Sequence, residues 1–279
     1  MKFKQKSILF FLTAFLILGC KDSEKSNPEQ ETKKSDSYVL VKDWPDLPDD
    51  FILGNPTGLG SDSNDNLVIF HRASRVWQEP MPEDKIQENT ITIVDKQTGK
   101  VLNSWGANLF IMPHGLEIDK ENNIWVTDVA LHQIFKFNSD GTLLLTLGKA
   151  QVPGNDKEHF SLPTDVAVSA DGSFYVSDGY GNSRVVKFSK DGTYLFEWGK
   201  FGNKQGEFNI PHGIDLDKNG NVYVADRENN RIQKFDAQGN FIESFLPTEK
   251  QIELNASGLS SGVYLFQFSD GNSATFVKE

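Results

Sequence analysis

Residues 109–133 read LFIMPHGLEIDKENNIWVTDVALHQ. After Pro113, His114 and Gly115, apolar and polar side chains alternate through Leu116, Glu117, Ile118 and Asp119, and a polar turn leads to a second run, Ile124–Asp128. Alternation of period two marks a strand with one face toward a core. The pattern returns as FSLPTDVAVSADGSFYVSDGYGNSRVVKFSKDG from Phe160 and as FNIPHGIDLDKNGNVYVADRENNRIQKFDAQG from Phe208. Pro113, Pro163 and Pro211 are separated by 50 and 48 residues. A looser unit runs from Pro56 through SDSNDNLVIFHR to ITIVDKQTGKVLNSWG. Each unit holds four short strands joined by Asp-Gly or Asn-Gly turns, which suit the positive φ of tight hairpins. A repeat of this length built from strands predicts an all-β fold, a β-propeller with one four-stranded sheet per blade. Four blades are readable, so an open or incomplete ring is expected.

The chain has 279 residues, a formal charge of −11 and 38% apolar side chains, a globular composition. Its acidity argues against nucleic acid, whose backbone demands a basic footprint. Residues 1–20 stand apart: Lys2, Lys4 and Lys6 precede an apolar run to Leu18, then Gly19-Cys20. This is the pattern of a secretory leader, too short for a transmembrane helix. Ile17–Cys20 resembles a bacterial lipobox, which implies lipidation at Cys20 and attachment to the membrane through that lipid alone. Cys20 is the only cysteine, so no intrachain disulfide supports the fold. Residues 21–38 are polar and charged and read as a flexible tether. Lys21-Asp22-Ser23-Glu24 resembles the segment that sends some Bacteroidetes lipoproteins to the cell surface. The expected layout is leader 1–20, tether 21–38, blades 39–246 and a C-terminal hairpin tail 247–279.

In a propeller the first strand of every blade lines the central channel, so residues of equal register converge there. His114 and His212 share the register Pro-His-Gly and lie 98 residues, or two blades, apart. A lone histidine at such a place is more often structural, but two facing one channel favour a metal pair. Thr164 holds the same register in the unit between and is a poor ligand. Asp128, Asp178 and Asp226 close the second strand of their blades and read as caps for the loop backbone, not as a catalytic trio.

NLVIFHRASRVW, LFIMPHGLEID, WVTDVALHQIFKF, PTDVAV, VSDGYGNSR and VADRENNRIQKF together resemble the peptidyl-α-hydroxyglycine α-amidating lyases, a family of NHL-repeat propellers, over roughly Val39 to Phe245. The resemblance implies cleavage of a peptide ending in α-hydroxyglycine into peptide amide and glyoxylate, on a six-bladed fold with a zinc ion held by three histidines and a structural calcium. It implies that His114 and His212 are zinc ligands and that Leu59 and Leu116 offer backbone carbonyls to calcium. It further makes Arg72 and Arg227 active-site arginines and Tyr180 the general base. The chemistry suits these types. Zinc stabilises a developing oxyanion, Arg72 supplies positive charge beside Tyr180, and Arg227 pairs with the substrate carboxylate. Without the resemblance, Arg72 reads as a surface arginine and Tyr180 as a loop aromatic.

The chain also departs from the family. No third Pro-His follows His212, since a further step of equal length runs past Glu279, and Leu162 and Gly181 stand where the family has cysteines. The tail QIELNASGLSSGVYLFQFSDGNSATFVKE leaves the blade register and resembles the last hairpin of a type IX secretion sorting domain. The leader and tail imply an exported protein, lipid-anchored at the outer membrane or cell surface of a Bacteroidetes-like bacterium. Two functions follow: a carbon–nitrogen lyase impaired by loss of the last blades, acting on a peptide or small amidoglycolate, or a non-catalytic NHL-repeat surface lipoprotein serving as a binding module.

Overall fold

Short runs of Val, Ile, Phe and Tyr between glycine turns fold as sixteen consecutive strands in four antiparallel sheets. The computed structural model describes residues 44–246 and two further strands at 262–267 and 273–278. The leader, Cys20 and the polar stretch lie outside the described residues, as do the connections around the tail strands. Blade one is β1 (Pro56–Ser61), β2 (Leu67–His71), β3 (Ile91–Val94) and β4 (Val101–Trp105). Blade two is β5 (Pro113–Ile118), β6 (Ile124–Asp128), β7 (Gln133–Phe137) and β8 (Leu143–Leu147). Blade three is β9 (Asp165–Val168), β10 (Phe174–Asp178), β11 (Arg184–Phe188) and β12 (Tyr194–Trp198). Blade four is β13 (Pro211–Leu216), β14 (Val222–Asp226), β15 (Arg231–Phe235) and β16 (Phe241–Phe245). The tail strands β17 (Gly262–Gln267) and β18 (Ser273–Lys278) pair antiparallel, Gly262 opposite Lys278. Among the described residues the only helical element is a single turn at Arg227–Asn229.

The core lies in the seams between blades. Val68, Phe70, Ile91 and Ile93 of blade one meet Phe110, Ile124, Val126 and Phe137 of blade two. Phe70 and Phe110 pack edge to face at 5.0 Å. Trp125 and Ile134 meet Phe174, Val176, Val186 and Phe188 across the second seam. Ala167, Tyr175 and Val185 meet Ile214, Val222, Val224 and Phe235 across the third. Because a middle blade is covered on both sides, every residue of β6 and β10 is buried. One glycine per seam serves a turn and a close approach together. Gly239 has φ 80°, and a Cβ there would stand 2.8 Å from the Trp198 ring of the preceding blade. Gly141, at φ 86°, stands likewise 3.0 Å from Trp105. A side chain at either position pushes its turn off the neighbouring blade.

Inner strands pack in order, β1 on β5, β5 on β9 and β9 on β13. The four blades form an unclosed arc. The expectation for the blade aspartates is met. Asp128 accepts from the backbone N–H groups of Ile111, Met112 and Leu131. Asp178 accepts from Ser161 N and Arg184 Nε, and Asp226 from Asn209 N and Arg231 Nε. Each buried carboxylate thus ties the loop entering its blade to the loop leaving its second strand.

Candidate active site

The histidines sit where their strands break register. Pairing of β5 with β6 shifts between Pro113 and Leu116, and pairing of β13 with β14 shifts between Pro211 and Gly213. A proline opens each strand at no cost to the ladder, and the bulge behind it re-aims the next side chain. In both blades that side chain is the histidine. Gly115 is required beside it, because a Cβ there would lie 2.5 Å from Asp165 Oδ1 and 2.7 Å from Thr164 O.

The two imidazoles meet with ring centroids 4.8 Å apart. His114 Nδ1 lies 2.7 Å from Thr164 O. A carbonyl only accepts, so Nδ1 carries the proton and Nε2 keeps its lone pair. That Nε2 is 3.1 Å from the Tyr180 hydroxyl, and His212 Nε2 is 2.8 Å from the same oxygen. Burial pushes His114 down to about 3, helped by the neighbouring His212 and by Arg72 and Arg227. Burial and Arg227 push His212 down to about 4. Both rings are therefore neutral at pH 7, the state that donates to a metal. A backbone carbonyl holding Nδ1 while Nε2 faces the channel is also the usual outer-shell arrangement of a ligating histidine. The pair fits two positions of a zinc site. Among the described residues, no group of three or more His, Cys, Asp or Glu side chains is placed to hold a metal ion.

Tyr180 reaches the channel from the loop after β10, which backbone bonds fix: Tyr180 N donates to Leu162 O at 3.3 Å and Gly181 N to Ser161 O at 2.9 Å. Leu162 and Gly181, the positions where the family has cysteines, thus lie in two loops already joined through the backbone. Arg227, at the turn after β14, donates to the Tyr180 hydroxyl at 3.4 Å and lies 5.3 Å from its ring centre. Arg227 Nε is also paired with Glu228 at 2.9 Å. The expectation set Arg72 beside Tyr180; the hydroxyl of Tyr180 accepts directly from Arg227. Arg72 is one ring away, its Nε donating to Pro113 O at 3.1 Å and its guanidinium 5.2 Å from the centre of the Trp77 ring. Trp77 in turn lies 5.5 Å from the Tyr180 ring.

Sequence reading thus found His114, His212, Tyr180, Arg72 and Arg227, which the fold brings together, and missed two contributors. Trp77 stands inside NLVIFHRASRVW, yet no periodicity marks a loop residue. Thr164 was discounted as a ligand and acts through its carbonyl, which side-chain type does not reveal. Leu59 and Leu116 lie on the adjacent inner strands β1 and β5, so close that a Cβ on Gly58 would fall 2.4 Å from Leu116 Cβ. Beside them, burial holds the Glu117 carboxyl up to about 8, with Asp165, Asp215 and Asp119 adding to the effect.

The NHL repeat model matches residues 160–188 and 208–235, which span β9–β11 and β13–β15. Peptidyl-glycine alpha-amidating monooxygenase A of Xenopus laevis is 41% identical over 269 residues, covering 87% of this chain and 29% of that protein. Peptidyl-alpha-hydroxyglycine alpha-amidating lyase 1 of Drosophila melanogaster is 40% identical over 225 residues, 73% of this chain and 41% of its own length. The chain therefore spans less than half of either relative. Among solved structures, a streptogramin B lyase superposes with a TM-score of 0.52 at 15% identity, covering 81% of this chain and 70% of that one, a likeness of fold alone. With four blades of this architecture and its channel histidines in register, the chain belongs to the NHL-repeat β-propeller family of the peptidyl-α-hydroxyglycine α-amidating lyases.

Proposed function

We propose that this chain is a carbon–nitrogen lyase that cleaves peptidyl-α-hydroxyglycine to a peptide amide and glyoxylate. The observation that supports the reading is the single oxygen of Tyr180 within hydrogen-bond reach of both His114 and His212 and of Arg227. The reaction removes the proton from the hydroxyl of the carbinolamide, breaks its C–N bond and returns a proton to the amide nitrogen. In this reading Tyr180 takes the hydroxyl proton. Its oxygen accepts from Arg227, so negative charge appearing there meets a cation already in position. Arg72 and Arg227 flank the aromatic pair and give the substrate carboxylate a positive field, with guanidinium geometry suited to bidentate pairing. His114 and His212 would hold zinc, which supplies Lewis acidity toward the substrate oxygen when bound. Leu59 and Leu116 would offer carbonyls to a structural calcium, a hard cation that takes oxygen ligands. Two histidines hold zinc less firmly than the usual three protein ligands of a catalytic site, so turnover is low and rises with added zinc.

The test is glyoxylate release from an N-acylated α-hydroxyglycine peptide with and without added zinc. Tyr180→Phe removes the proton acceptor and lowers kcat by at least about a hundredfold, while the circular dichroism of the blades stays unchanged. Full activity in that variant overturns the role of Tyr180. Peptide binding without any glyoxylate in the wild type, zinc supplied, favours the binding-module reading instead.

A further inference from the structure

Tyr180 has one neighbour that the lyase chemistry does not use. Trp77 lies between the Arg72 guanidinium and the Tyr180 ring, at 5.2 and 5.5 Å, yet remains 37% exposed. Arg72, Trp77, Tyr180 and Arg227 so form a row of cation, ring, ring and cation, with both histidines at the Tyr180 hydroxyl.

The loop carrying Trp77 is held in place. Arg75 pairs with Asp84 at 2.8 Å, spanning the loop from one side to the other, and also donates to Asp84 O at 3.0 Å. Arg75 N donates to Arg72 O at 2.7 Å. Farther on, buried Ile86 is fixed through its N–H to Phe110 O at 2.8 Å and accepts from Asn108 N at 2.7 Å. These bonds fix the backbone on both sides of Trp77 without burying its ring. Val76 beside it is 62% exposed. Core packing alone does not account for a large aromatic held this way, because more than a third of its surface stays in water. A ring left in water between two functional side chains gains its stabilisation when a ligand covers it, and tryptophan supplies the most contact area at the least rotamer cost.

The geometry points to Trp77 as a specificity-determining residue, a platform for the side chain that precedes the terminal unit of the substrate. The chemistry of the row sets the class. A substrate anchored at its C-terminal carboxylate by Arg227, with its hydroxyl at Tyr180, places its preceding residue next to Trp77, where an aromatic or large apolar side chain covers the indole. A carboxylate-bearing side chain leaves that surface wet. The inference rests on the lyase reading for the identity of the terminal unit, but its test reads binding separately from turnover.

Acylated dipeptides ending in Phe-Gly, Ala-Gly and Glu-Gly, which lack the hydroxyl and do not react, are titrated into the full chain by calorimetry. The α-hydroxyglycine counterparts are assayed for glyoxylate. The wild type binds the Phe-Gly peptide about tenfold more tightly than the other two, the range an apolar contact provides. Trp77→Ala reduces that ratio to about twofold or less, and Trp77→Phe retains most of it. Loss of the ratio in Trp77→Ala with no glyoxylate from any protein leaves the platform standing and removes the lyase. An unchanged ratio in Trp77→Ala overturns the platform, even where kcat falls, as does a wild type that binds the three peptides equally. Equal weakening of all three by Trp77→Ala, reversed by Trp77→Phe, makes the residue a support for Arg72 and Tyr180 and likewise overturns the platform.

Discussion

Blades three and four are built alike and used differently. Tyr175 and Tyr223 stand at one register, as do Val185 and Ile232, and Trp198 and Phe245. In blade three this face is sealed. Tyr175 and Val185 are fully buried against blade four, and the Tyr175 hydroxyl donates across the seam to Ala237 O at 3.0 Å. In blade four the same face is open among the described residues. Ile232 is 44% and Phe245 39% exposed, and the Tyr223 hydroxyl turns back to Asp217 of its own blade at 3.4 Å. At the channel the contrast reverses. Blade four presents His212-Gly213, whereas blade three has Thr164-Asp165. Thr164 O orients His114, and Thr164 Oγ1 donates to Pro211 O at 2.9 Å. Asp165 Oδ2 accepts from Ile214 N at 3.2 Å. Blade three therefore has no histidine at this register and instead positions both neighbours. The residue types of a blade do not say which blade is the support and which carries the chemistry; the neighbours do.

The largest expected difference lies in the paired tyrosines. Tyr175→Ala empties a seam and removes one of the two donors to Ala237 O, leaving Lys187 Nζ at 3.2 Å, at a cost of about 3–5 kcal/mol. Tyr223→Ala removes a half-covered ring from an open face and costs about 1 kcal/mol. Urea unfolding of both variants beside the wild type measures the gap. Equal losses break the comparison, because they require the blade-four face to be packed in solution as the blade-three face is.

The intermediate effect belongs to Asp165, where blade three holds blade four through a carboxylate. Burial pushes this carboxyl up to about 7, opposed by its bonds from Ile214 N and Val166 N and reinforced by Asp215. A carboxyl raised above its unfolded value of 3.8 favours the protonated form in the fold. Stability attributable to it is therefore greatest at low pH, and is lost as pH climbs from the unfolded value through 7. Asp165→Asn removes the titration, so its urea midpoint changes less than that of the wild type between pH 5 and about 8. A wild-type midpoint that instead rises over that range because of Asp165 contradicts the sign.

How much of this was legible follows from where the information sits. Strands and turns are local, and VYVADRENNRIQKF announces β14 and β15 through its alternation alone. His114 and His212 were legible because a repeat turns equal register into spatial convergence. Trp77 was not, because a loop residue has no register. Nor was the orienting role of Thr164, since every residue has a carbonyl and only the fold decides which one faces an imidazole. The contacts of Arg72 with Trp77 and of Arg227 with Tyr180 were hidden for a related reason. Both are arginines at strand ends, and the order of rings between them depends on how the loop carrying Arg72 and Trp77 is pinned by Arg75 and Asp84. The open face of blade four is also silent in its own strands. Their side chains match those that blade three buries.

The smallest expected effect is the sharpest probe of that silence. Val185 and Ile232 occupy one register on β11 and β15, and their β-branched side chains suit a covered sheet equally well. Val185→Lys forces an ammonium into the apolar seam with blade four, and the domain unfolds or loses several kcal/mol. Ile232→Lys puts the same group on a surface already in water, where Lys234 two positions on has Asp217 for company at 3.8 Å. Its expected cost is within about 0.5 kcal/mol, and removing an exposed apolar side chain lowers binding of a hydrophobic dye. The two thermal midpoints, with sedimentation of each protein, separate the cases. A large loss at Ile232, or dissociation of an oligomer on its substitution, means that the face is occupied. Blade four would then be as much a middle blade as blade three, with its covering surface supplied from beyond the described strands.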